Sequence, residues 1–174
     1  MELFWYVACV KASSERKAQE RLQAQGVETF LPVQREARQW SDRVRMVDRL
    51  LLPGMVFVHA SNEQRLMSLE ANPYVLRYLS VRGTYKPAVI PDDQMESFMQ
   101  MVTGSGRSVE LSQTPIAPGD TVRVVAGPLA GRVCEVVALR GRHFALARLG
   151  LLGTACVELR MDEIEKTANI NKGQ

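Results

Sequence analysis

Hydrophobic positions in the first hundred residues alternate between strand-like and helix-like spacing. Residues 4–10, FWYVACV, are apolar on both faces, which is typical of a central strand. Further strand-like runs occur at 27–40, 44–52, 55–60 and 75–82. Between them, apolar residues three to four positions apart predict helices beginning after Ser13, after Ser61 and after Pro91. This order predicts an α+β fold, namely a ferredoxin-like α/β sandwich with one additional helix.

Local capping and turn signals support several of these elements. Ser13 is the expected N-cap of the first helix, and Ser61 with Gln64 predicts a capping box at the second helix. The runs at 27–40 and 44–52 are separated by a short polar tip, which predicts a β-hairpin.

The sequence changes character after residue 102. Residues 103–115, TGSGRSVELSQTP, contain Gly, Ser and Thr with weak periodicity, which predicts a flexible linker. Beyond them, short apolar runs separated mostly by Gly or Pro are typical of a small, strongly bent β-barrel. We therefore expect an α/β domain over 1–102, a linker over 103–115 and a β-barrel domain over 116–174 that ends in a short C-terminal tail.

Residues suited to catalysis are scarce. The chain of 174 residues contains two histidines, and neither has a spaced partner for a metal site or a catalytic triad. Cys9, Cys134 and Cys156 stand in apolar runs without CxxC spacing, which is typical of buried free thiols. No apolar run approaches the ~18 residues of a membrane span, and the N-terminus lacks signal-peptide features. We expect a monomeric cytoplasmic binding protein that is not an enzyme and uses no metal or cofactor.

Positive charge is mild overall but unevenly distributed. The net charge is +3. Basic residues gather in two places: Lys11, Arg16, Lys17 and Arg21 near the first predicted helix, and Arg38, Arg43, Arg45 and Arg49 in the predicted hairpin. Each group is compatible with a solvated charged face and with a patch that faces phosphates.

Two parts of the chain resemble a known family. GDTVRVVAGPLAGRVCEVV resembles the KOW motif, and Gly131 stands at its characteristic glycine, where a bend needs a residue without a side chain. The segments WYVACVKASSERKAQERL, TFLPVQRE, LLPGMVFVHA and NPYVLRYLSVRGTYKPAVIPDDQMESFM resemble, in this order, the N-terminal (NGN) domain of NusG-type transcription elongation factors. Within that family the chain looks most like the specialised antiterminators, RfaH and the UpxY type of capsule-locus regulators. The resemblance implies an NGN-type domain followed by an SH3-like KOW β-barrel.

The resemblance implies that the N-terminal domain binds RNA polymerase. In the family, an apolar depression receives the tip of the clamp helices of the largest subunit, and a few packed anchors can supply most of such affinity. The matching positions are Trp5, Phe30, Leu52, Pro53, Met55 and Phe57, with Tyr74 and Leu79 at the rim. We expect Trp5 and Phe57 to be partly exposed, although any residue of this set could instead fill the core. A second contact, with the opposite jaw of the polymerase, maps to Arg65, Met67 and Ser68.

The resemblance also implies contacts with nucleic acid and with a second protein. Specialised members read the non-template DNA strand of a paused complex, and a leader RNA is the alternative signal. The matching positions are Lys11, Lys17 and Arg21, with Ser14, Arg16 and Asn72 as further candidates. The KOW domain of the family recruits the termination factor Rho or ribosomal protein S10, and the corresponding residues are Leu149, Leu151 and Leu152. The housekeeping factor has Ile-Phe-Gly there, so the missing aromatic implies weaker binding of Rho.

Three functions are compatible with these observations. The first is an antitermination factor that suppresses pausing and termination in specific operons. The second is a housekeeping NusG-type elongation and termination factor, and the third is a ribosome- or RNA-associated KOW protein. The helix-forming composition of residues 141–166 also leaves open a helical form of this half, as in some RfaH proteins, which Gly150 and Gly153 disfavour.

Overall fold

A computed structural model describes residues 1–165 of the chain, and the predicted C-terminal tail beyond them lies outside the described residues. The chain divides into two compact units, Met1–Met95 and Glu96–Gln174. A helix, α3 (Asp92–Gly104), begins at the end of the first unit and continues into the second. Its start directly after Pro91 agrees with the sequence-based prediction.

The first unit contains six strands and two complete helices. In chain order they are β1 (Phe4–Val10), α1 (Glu15–Ala24), β2 (Glu28–Phe30), β3 (Val33–Gln39), β4 (Val44–Leu50), β5 (Met55–Ala60), α2 (Asn62–Ala71) and β6 (Val75–Tyr78). Four strands form a sheet in the order β2-β5-β1-β6, with antiparallel neighbours throughout. Within residues 1–165, the other two, β3 and β4, form a separate two-stranded sheet. This strand order confirms the predicted ferredoxin-like α/β sandwich.

The core of this unit lies on one face of the four-stranded sheet. Tyr6, Ala8 and Val10 alternate along β1 and pack with Ala18 and Leu22 of α1. Side chains two apart on a strand point to the same face, so residues 5, 7 and 9 face the other way. On β5, Val56, Val58 and Ala60 likewise alternate and point into this core.

Helix α2 begins as its sequence predicts. The Ser61 hydroxyl accepts a hydrogen bond of 3.2 Å from the Gln64 amide, and the Gln64 side chain accepts one of 3.0 Å from the Ser61 amide. This reciprocal capping box pairs two backbone donors that would otherwise lack partners at the start of the helix. The predicted capping box is therefore confirmed.

Two local predictions in this unit are wrong. The N-cap of α1 is Ser14, whereas Ser13 has a φ of 58° in the turn that precedes the helix. The predicted strand over 27–40 is divided into β2 and β3 at Leu31 and Pro32. Pro32 has no backbone N–H to donate to a sheet, and it stands where the chain leaves β2, the edge strand of the main sheet, and enters the separate hairpin.

The second unit is rich in β-structure. Its strands are β7 (Val109–Ser112), β8 (Asp120–Val124), β9 (Val133–Leu139), β10 (Arg142–Arg148), β11 (Thr154–Leu159) and β12 (Ile164–Glu165). They form a six-stranded antiparallel sheet in the order β12-β8-β9-β10-β11-β7. The predicted combination of an α/β N-terminal part with a β-rich C-terminal part is confirmed.

The segment expected to be a flexible linker carries structure. Four residues of the segment 103–115 form β7, which pairs with β11 from Val109 opposite Val157 to Ser112 opposite Thr154. Val109 is fully buried, and this burial gives the short strand a stabilising contact that the weak periodicity of the segment does not reveal. The functional limits of the two domains stay a prediction.

Two further expectations concern the β-rich unit. Gly131 has a φ of 86° in the turn between β8 and β9, and its amide donates a hydrogen bond of 2.8 Å to the Val124 carbonyl. This left-handed conformation explains the glycine, as the sequence predicts. The segment that could have been helical forms β10 and β11 in this structure, with Gly150 and Gly153 in the turn between them.

Candidate functional site

Four residues of the predicted polymerase contact share one face of the main sheet. We call Trp5, Phe30, Met55 and Phe57 the apolar sheet face, because they lie on the side opposite the core that contains α1. Phe30 is directly opposite Phe57 in the pairing of β2 with β5, and their ring centroids are 6.2 Å apart. The Trp5 ring stacks on His59 at 4.7 Å, and His59 also binds Glu28 through a contact of 2.7 Å from its Nδ1.

The expectation that Trp5 and Phe57 are partly exposed is wrong. Trp5 is 5% exposed and Phe57 is fully buried, and Phe30 is buried as well. Both strands β1 and β5 lie in the interior of the sheet order, where side chains on either face can be covered. These three aromatic side chains are therefore interior residues on the second face of the sheet, which agrees with the alternative interpretation of the sequence.

The accessible part of the predicted contact is the turn that leads into β5. We call Leu52, Pro53, Gly54 and Met55 the rim turn. Pro53 is exposed, while Leu52 and Met55 are half-buried. The rim turn therefore presents apolar side chains to solvent at one end of the apolar sheet face.

The rim turn is held in place by α1 and β1. The Gly54 amide donates a hydrogen bond of 2.8 Å to Oε1 of Glu15, a buried residue in the first turn of α1. The Gly54 carbonyl accepts another of 2.8 Å from the Val10 amide. Gly54 has a φ of 78°, a conformation that glycine adopts without strain. Sequence analysis did not identify Glu15 as part of the site, since its only local signal was the preference for acidic residues at helix starts.

The two predicted rim residues from the β6 region, Tyr74 and Leu79, lie in different surroundings. Leu79 is half-buried directly after β6, where its amide donates to the Val7 carbonyl at 2.8 Å. Tyr74 lies beside α1 instead, and its carbonyl accepts a hydrogen bond of 2.9 Å from the Lys11 amide. The Tyr74 ring therefore belongs with the basic residues of α1.

Three of the predicted nucleic-acid contacts form a group on the surface. We call Lys11, Lys17 and Arg21 the α1 basic stripe, since all three are exposed and the last two are four positions apart on one face of α1. The Lys17 ammonium lies 6.0 Å from the centroid of the Tyr74 ring. Ser14 is half-buried on the same side of the helix, three positions before Lys17. Cationic groups next to an aromatic ring are suited to a phosphate backbone with an adjacent base.

The other two predicted nucleic-acid contacts are engaged within the protein. Arg16 binds Asp48 of β4 with an N–O distance of 3.2 Å, an exposed pair that holds the arginine on the hairpin side of α1. Asn72 is 1% exposed, and its side chain donates to the Ala18 carbonyl at 3.0 Å and accepts from the Tyr74 amide at 3.1 Å. Both ends of the Asn72 amide therefore stabilise the fold in this structure, and a contact of Asn72 with bases stays a prediction.

The three residues of the predicted contact with the opposite jaw differ in their accessibility. The Ser68 hydroxyl is buried against the Tyr78 hydroxyl at 2.6 Å, so Ser68 is inaccessible in this structure, and its contact with the polymerase stays a prediction that the burial disfavours. The Arg65 guanidinium lies 5.4 and 5.5 Å from the ring centroids of Tyr6 and Tyr78. Burial raises the pKa of Tyr78, so its hydroxyl stays protonated at neutral pH. Of the three residues, Met67 is the most exposed, at 62%.

Met67 borders a groove that sequence analysis missed. The groove has a volume of about 540 Å³ and lies between the end of α1 and α2. Its lining consists of Gln25, Val27, Gln64, Met67, Glu70 and Ala71. No short motif encodes it, since it arises from the packing of two helices against the sheet.

In the β-rich unit, one of the three predicted partner contacts is accessible. Leu149 is fully buried and Leu152 is 5% exposed, whereas Leu151 is 51% exposed. The short 3-10 turn Gly150–Leu152 directs Leu149 and Leu152 inward and Leu151 outward. Leu149 and Leu152 are therefore core residues in this structure, and their contact with a partner stays a prediction that the burial disfavours.

The described residues hold no cluster of His, Cys, Asp or Glu that could bind a metal ion. Burial raises the pKa of the Cys134 thiol to about 11, so it stays protonated at neutral pH. Glu135 has a lowered pKa because Arg148 donates hydrogen bonds of 2.8 and 2.7 Å to its carboxylate. These groups support the sheet of the second unit.

None of the helices within residues 1–165 is both long and apolar enough to span a membrane.

Comparisons with known proteins agree with the sequence features. Residues 3–99 match the family described as "Transcription termination factor nusG", and residues 118–139 match the KOW motif. The chain is 28% identical to the transcription termination/antitermination protein NusG of Pseudomonas aeruginosa, over 93% of this chain and 97% of that protein.

Two of the solved structures that match this chain have TM-scores below 0.5. A structure titled "Domain interaction in Thermotoga maritima NusG" has 20% identity and a TM-score of 0.46, and the match covers 97% of this chain and 99% of that chain. The MjSpt4:Spt5 complex in its conformation A has 13% identity and a TM-score of 0.30, over 94% of this chain and 98% of that chain. The family match covers more than half of the sequence, and the chain therefore belongs to the NusG family of transcription elongation and termination factors, which are not enzymes.

Proposed function

We propose that this protein is an antitermination factor that binds RNA polymerase through its N-terminal unit. In this proposal it acts in the cytoplasm, where it suppresses pausing and termination by RNA polymerase in specific operons. Polysaccharide loci are among the proposed target operons. Membership of the NusG family supports the elongation part of the proposal. The antitermination part rests on the sequence resemblance to specialised members of the family.

The observation that carries polymerase binding is the rim turn. Leu52, Pro53 and Met55 present apolar surface, and the hydrogen bond from Gly54 to the buried Glu15 fixes their backbone in the free protein. Preorganised apolar anchors lose less conformational entropy on binding than anchors on a mobile loop. The tip of a coiled coil, such as the clamp helices, is a convex partner of suitable size for such a surface.

The buried aromatic residues have an indirect role in this proposal. Trp5, Phe30 and Phe57 are buried on the same sheet face as Met55 of the rim turn, and they need not touch the polymerase. A charged substitution at Phe57 would therefore unfold the domain and would not test the interface. The residues suited to a test are the exposed ones.

A second part of the proposal concerns nucleic acid at the α1 basic stripe. Lys11, Lys17 and Arg21 would contact the phosphates of the non-template DNA strand, or of a leader RNA, while Tyr74 offers a ring beside Lys17. Ser14 is a polar neighbour that could reach a base edge. Arg16 would stay bound to Asp48 and would contribute to the local potential only.

A third part of the proposal concerns the β-rich unit. It would recruit a second protein, with ribosomal protein S10 as the candidate, through the exposed Leu151. A tethered recruiting domain raises the local concentration of its partner near the polymerase. This chain lacks the aromatic anchor that the housekeeping factor offers to Rho, so we expect Rho to bind it more weakly.

The polymerase contact is tested by capture of core RNA polymerase with the full chain. We expect Pro53→Asp to weaken binding by about tenfold or more, since a charge at an apolar anchor is desolvated without a partner. Leu76→Asp is the matched control, because Leu76 is an exposed leucine of the same unit, on β6. Equal binding by wild type, Pro53→Asp and Leu76→Asp would contradict the proposed surface, and absence of binding by all three would contradict polymerase binding itself.

The alternative is a housekeeping elongation and termination factor. The similarity to a termination/antitermination NusG over nearly the whole of both chains favours it. Transcription in vitro with purified Rho separates the two functions: the specialised factor reduces Rho-dependent termination, and the housekeeping factor enhances it. The third possibility, a ribosome-associated protein, would be indicated by sedimentation with ribosomes that the Pro53→Asp variant retains.

A further inference from the structure

The β3–β4 hairpin places three arginines and a tryptophan on one face. Arg38 is directly opposite Arg45 in the pairing of the two strands. Two residues further along, the Trp40 amide donates a hydrogen bond of 2.8 Å to the Arg43 carbonyl, so these two residues are also opposite each other. Side chains two apart on a strand point the same way, which puts all four on a common face. We call Arg38, Trp40, Arg43 and Arg45 the hairpin face.

Solvent reaches the whole hairpin face. Trp40 is 52% exposed, in contrast to Trp5, and the three arginines are exposed. Within residues 1–165, Arg38 and Arg45 have no ion pair, and Arg43 has only a 3.9 Å contact with Asp42. The next acidic residue on this side, Glu36, is bound to Arg49 at 3.1 Å. The face therefore carries uncompensated positive charge around a large exposed ring.

This arrangement is unfavourable for the isolated protein. Like charges directly opposite each other on a two-stranded ribbon repel, and an exposed tryptophan leaves apolar surface in water. The tip has only a two-residue turn, Ser41 and Asp42, so Trp40 and Arg43 are held on ordered strand ends. A ligand that neutralises the arginines and covers the ring would remove both costs at once.

We propose that the hairpin face binds single-stranded nucleic acid. Phosphates would lie between the arginines of the two strands, and a base would stack on Trp40. Arg38 and Trp40 are separated by about 7 Å along the strand, which corresponds to about two nucleotides of a stacked single strand. Arginine with an exposed aromatic ring is the combination that binds single strands without strong sequence preference. The residues of the hairpin face belong neither to the rim turn nor to the α1 basic stripe. The inference therefore does not depend on the proposed binding of RNA polymerase or on the proposed nucleic-acid contacts of α1.

The test measures binding of fluorescein-labelled oligonucleotides of about 12 nucleotides to the full chain by anisotropy. The probes are oligo-dT, oligo-U and a 12-base-pair duplex, each titrated at several salt concentrations. The variants are Trp40→Leu and the double variant Arg38→Gln with Arg45→Gln. Arg35→Gln is the matched control, because Arg35 is an exposed arginine of the same hairpin whose side chain lies on the opposite face.

We expect both single strands to bind more tightly than the duplex. Trp40→Leu should weaken single-strand binding by about tenfold. The double arginine variant should reduce the slope of log K against log salt by about 1.4, because each phosphate contact contributes about 0.7. Arg35→Gln should leave the affinity for single strands nearly unchanged, because it removes no residue of the hairpin face.

Intrinsic fluorescence gives an independent readout. The chain has two tryptophans, and only Trp40 is exposed enough to contact a ligand. Single strands should therefore quench the emission of the wild type, and Trp40→Leu should abolish the quenching. The inference is overturned if binding is unquenched, if the duplex binds as well as the single strands, or if Trp40→Leu and the double arginine variant both bind like wild type. Absence of binding by any probe would also overturn it and would favour an acidic protein as the partner of this face.

Discussion

Arg107 forms a bidentate ion pair with Glu163, which lies 56 residues later in the chain and is fully buried. Its Nη1 donates to Oε2 of Glu163 at 2.7 Å and to the Glu158 carbonyl at 3.0 Å. The Arg160 amide donates to Oε2 of Glu163 at 2.8 Å. Arg107 lies two residues before β7, so this pair ties the segment that leads into β7 to the last described turn of the second unit.

Loss of this arginine should strongly destabilise the second unit. Arg107→Gln removes the bidentate partner of a buried carboxylate, whose remaining cationic contact within residues 1–165 is the longer 3.7 Å one with Arg160, and such losses cost about 3 kcal/mol. Arg142→Gln is the control, since Arg142 and Glu158 form a 3.5 Å pair whose side chains are both well exposed. We expect the control to change the free energy of unfolding by less than about 1 kcal/mol. Denaturant unfolding of the full chain measures both, and equal stability of the two variants would contradict the importance of the buried pair.

The same pair should make the protein sensitive to acid. Hydrogen bonds from Arg107 lower the pKa of Glu163 from an ordinary 4.5 to about 2. A carboxyl whose pKa is lowered by folding stabilises the folded state above its unfolded pKa, so this contribution is lost as the pH falls from about 4.5 towards 2. The stability difference between wild type and Arg107→Gln should therefore shrink across this range. Unfolding measured at pH 7 and pH 3 checks this, and a difference that grows at pH 3 would contradict it.

The arginine pair of the hairpin face should cost stability. Arg38 and Arg45 are directly opposite each other, and replacing one of them removes a like-charge repulsion of about 0.2–1 kcal/mol. Arg45→Gln should therefore raise the free energy of unfolding slightly, while it weakens binding of single-stranded nucleic acid. Arg35→Gln should not raise it, because Arg35 has a favourable 3.6 Å contact with Asp48. Thermal unfolding of the three proteins at low salt, where repulsion is least screened, makes the comparison.

Adjacent leucines in the β-rich unit should differ in their roles. Leu152 is buried, and Leu152→Ala should cost about 2–4 kcal/mol through lost burial and a cavity. Leu151 is exposed, and Leu151→Ala should change stability by less than about 0.5 kcal/mol. In a binding assay with ribosomal protein S10, only Leu151→Ala should lower affinity while the protein stays folded. Unchanged S10 binding by Leu151→Ala would contradict the proposed role of this leucine.

Local signals in the sequence are sufficient for the parts of the fold that depend on nearby residues. Ser61 and Gln64 are three positions apart, and their capping box forms as expected. Gly131 adopts a positive φ in the turn where the KOW motif has its glycine. The order of strands and helices follows from hydrophobic periodicity, and this order alone predicts the ferredoxin-like arrangement.

Burial and side-chain direction depend on distant parts of the chain and cannot be predicted in this way. Asn72 is a plausible base contact by position, but it binds the Ala18 carbonyl 54 residues earlier. Val109 belongs to a segment of weak periodicity, yet pairing with β11 makes it a core residue. Trp5 and Phe57 follow a strand pattern that fits both a covered and an open sheet face, so the pattern does not determine their exposure.

Glu15 should control polymerase binding without touching the polymerase. Its carboxylate accepts the hydrogen bond from Gly54 that holds the rim turn, and Glu15 itself is buried. Glu15→Ala leaves the Gly54 amide without this acceptor, so the rim turn loses its fixed backbone and the affinity for RNA polymerase should fall. Glu15→Gln keeps an oxygen acceptor of nearly the same shape and should retain most of the affinity.

The comparison separates positioning from stability. Both variants are measured for polymerase capture and for thermal unfolding of the full chain, with Pro53→Asp as the reference for a direct loss of surface. A weakened Glu15→Ala that stays folded at the assay temperature, together with a functional Glu15→Gln, would support a positioning role through Gly54. If both variants bind like wild type while Pro53→Asp does not, the rim turn is rigid without Glu15, and its backbone hydrogen bonds, from Val10 to Gly54 and from Met55 to Leu52, are sufficient to set its conformation.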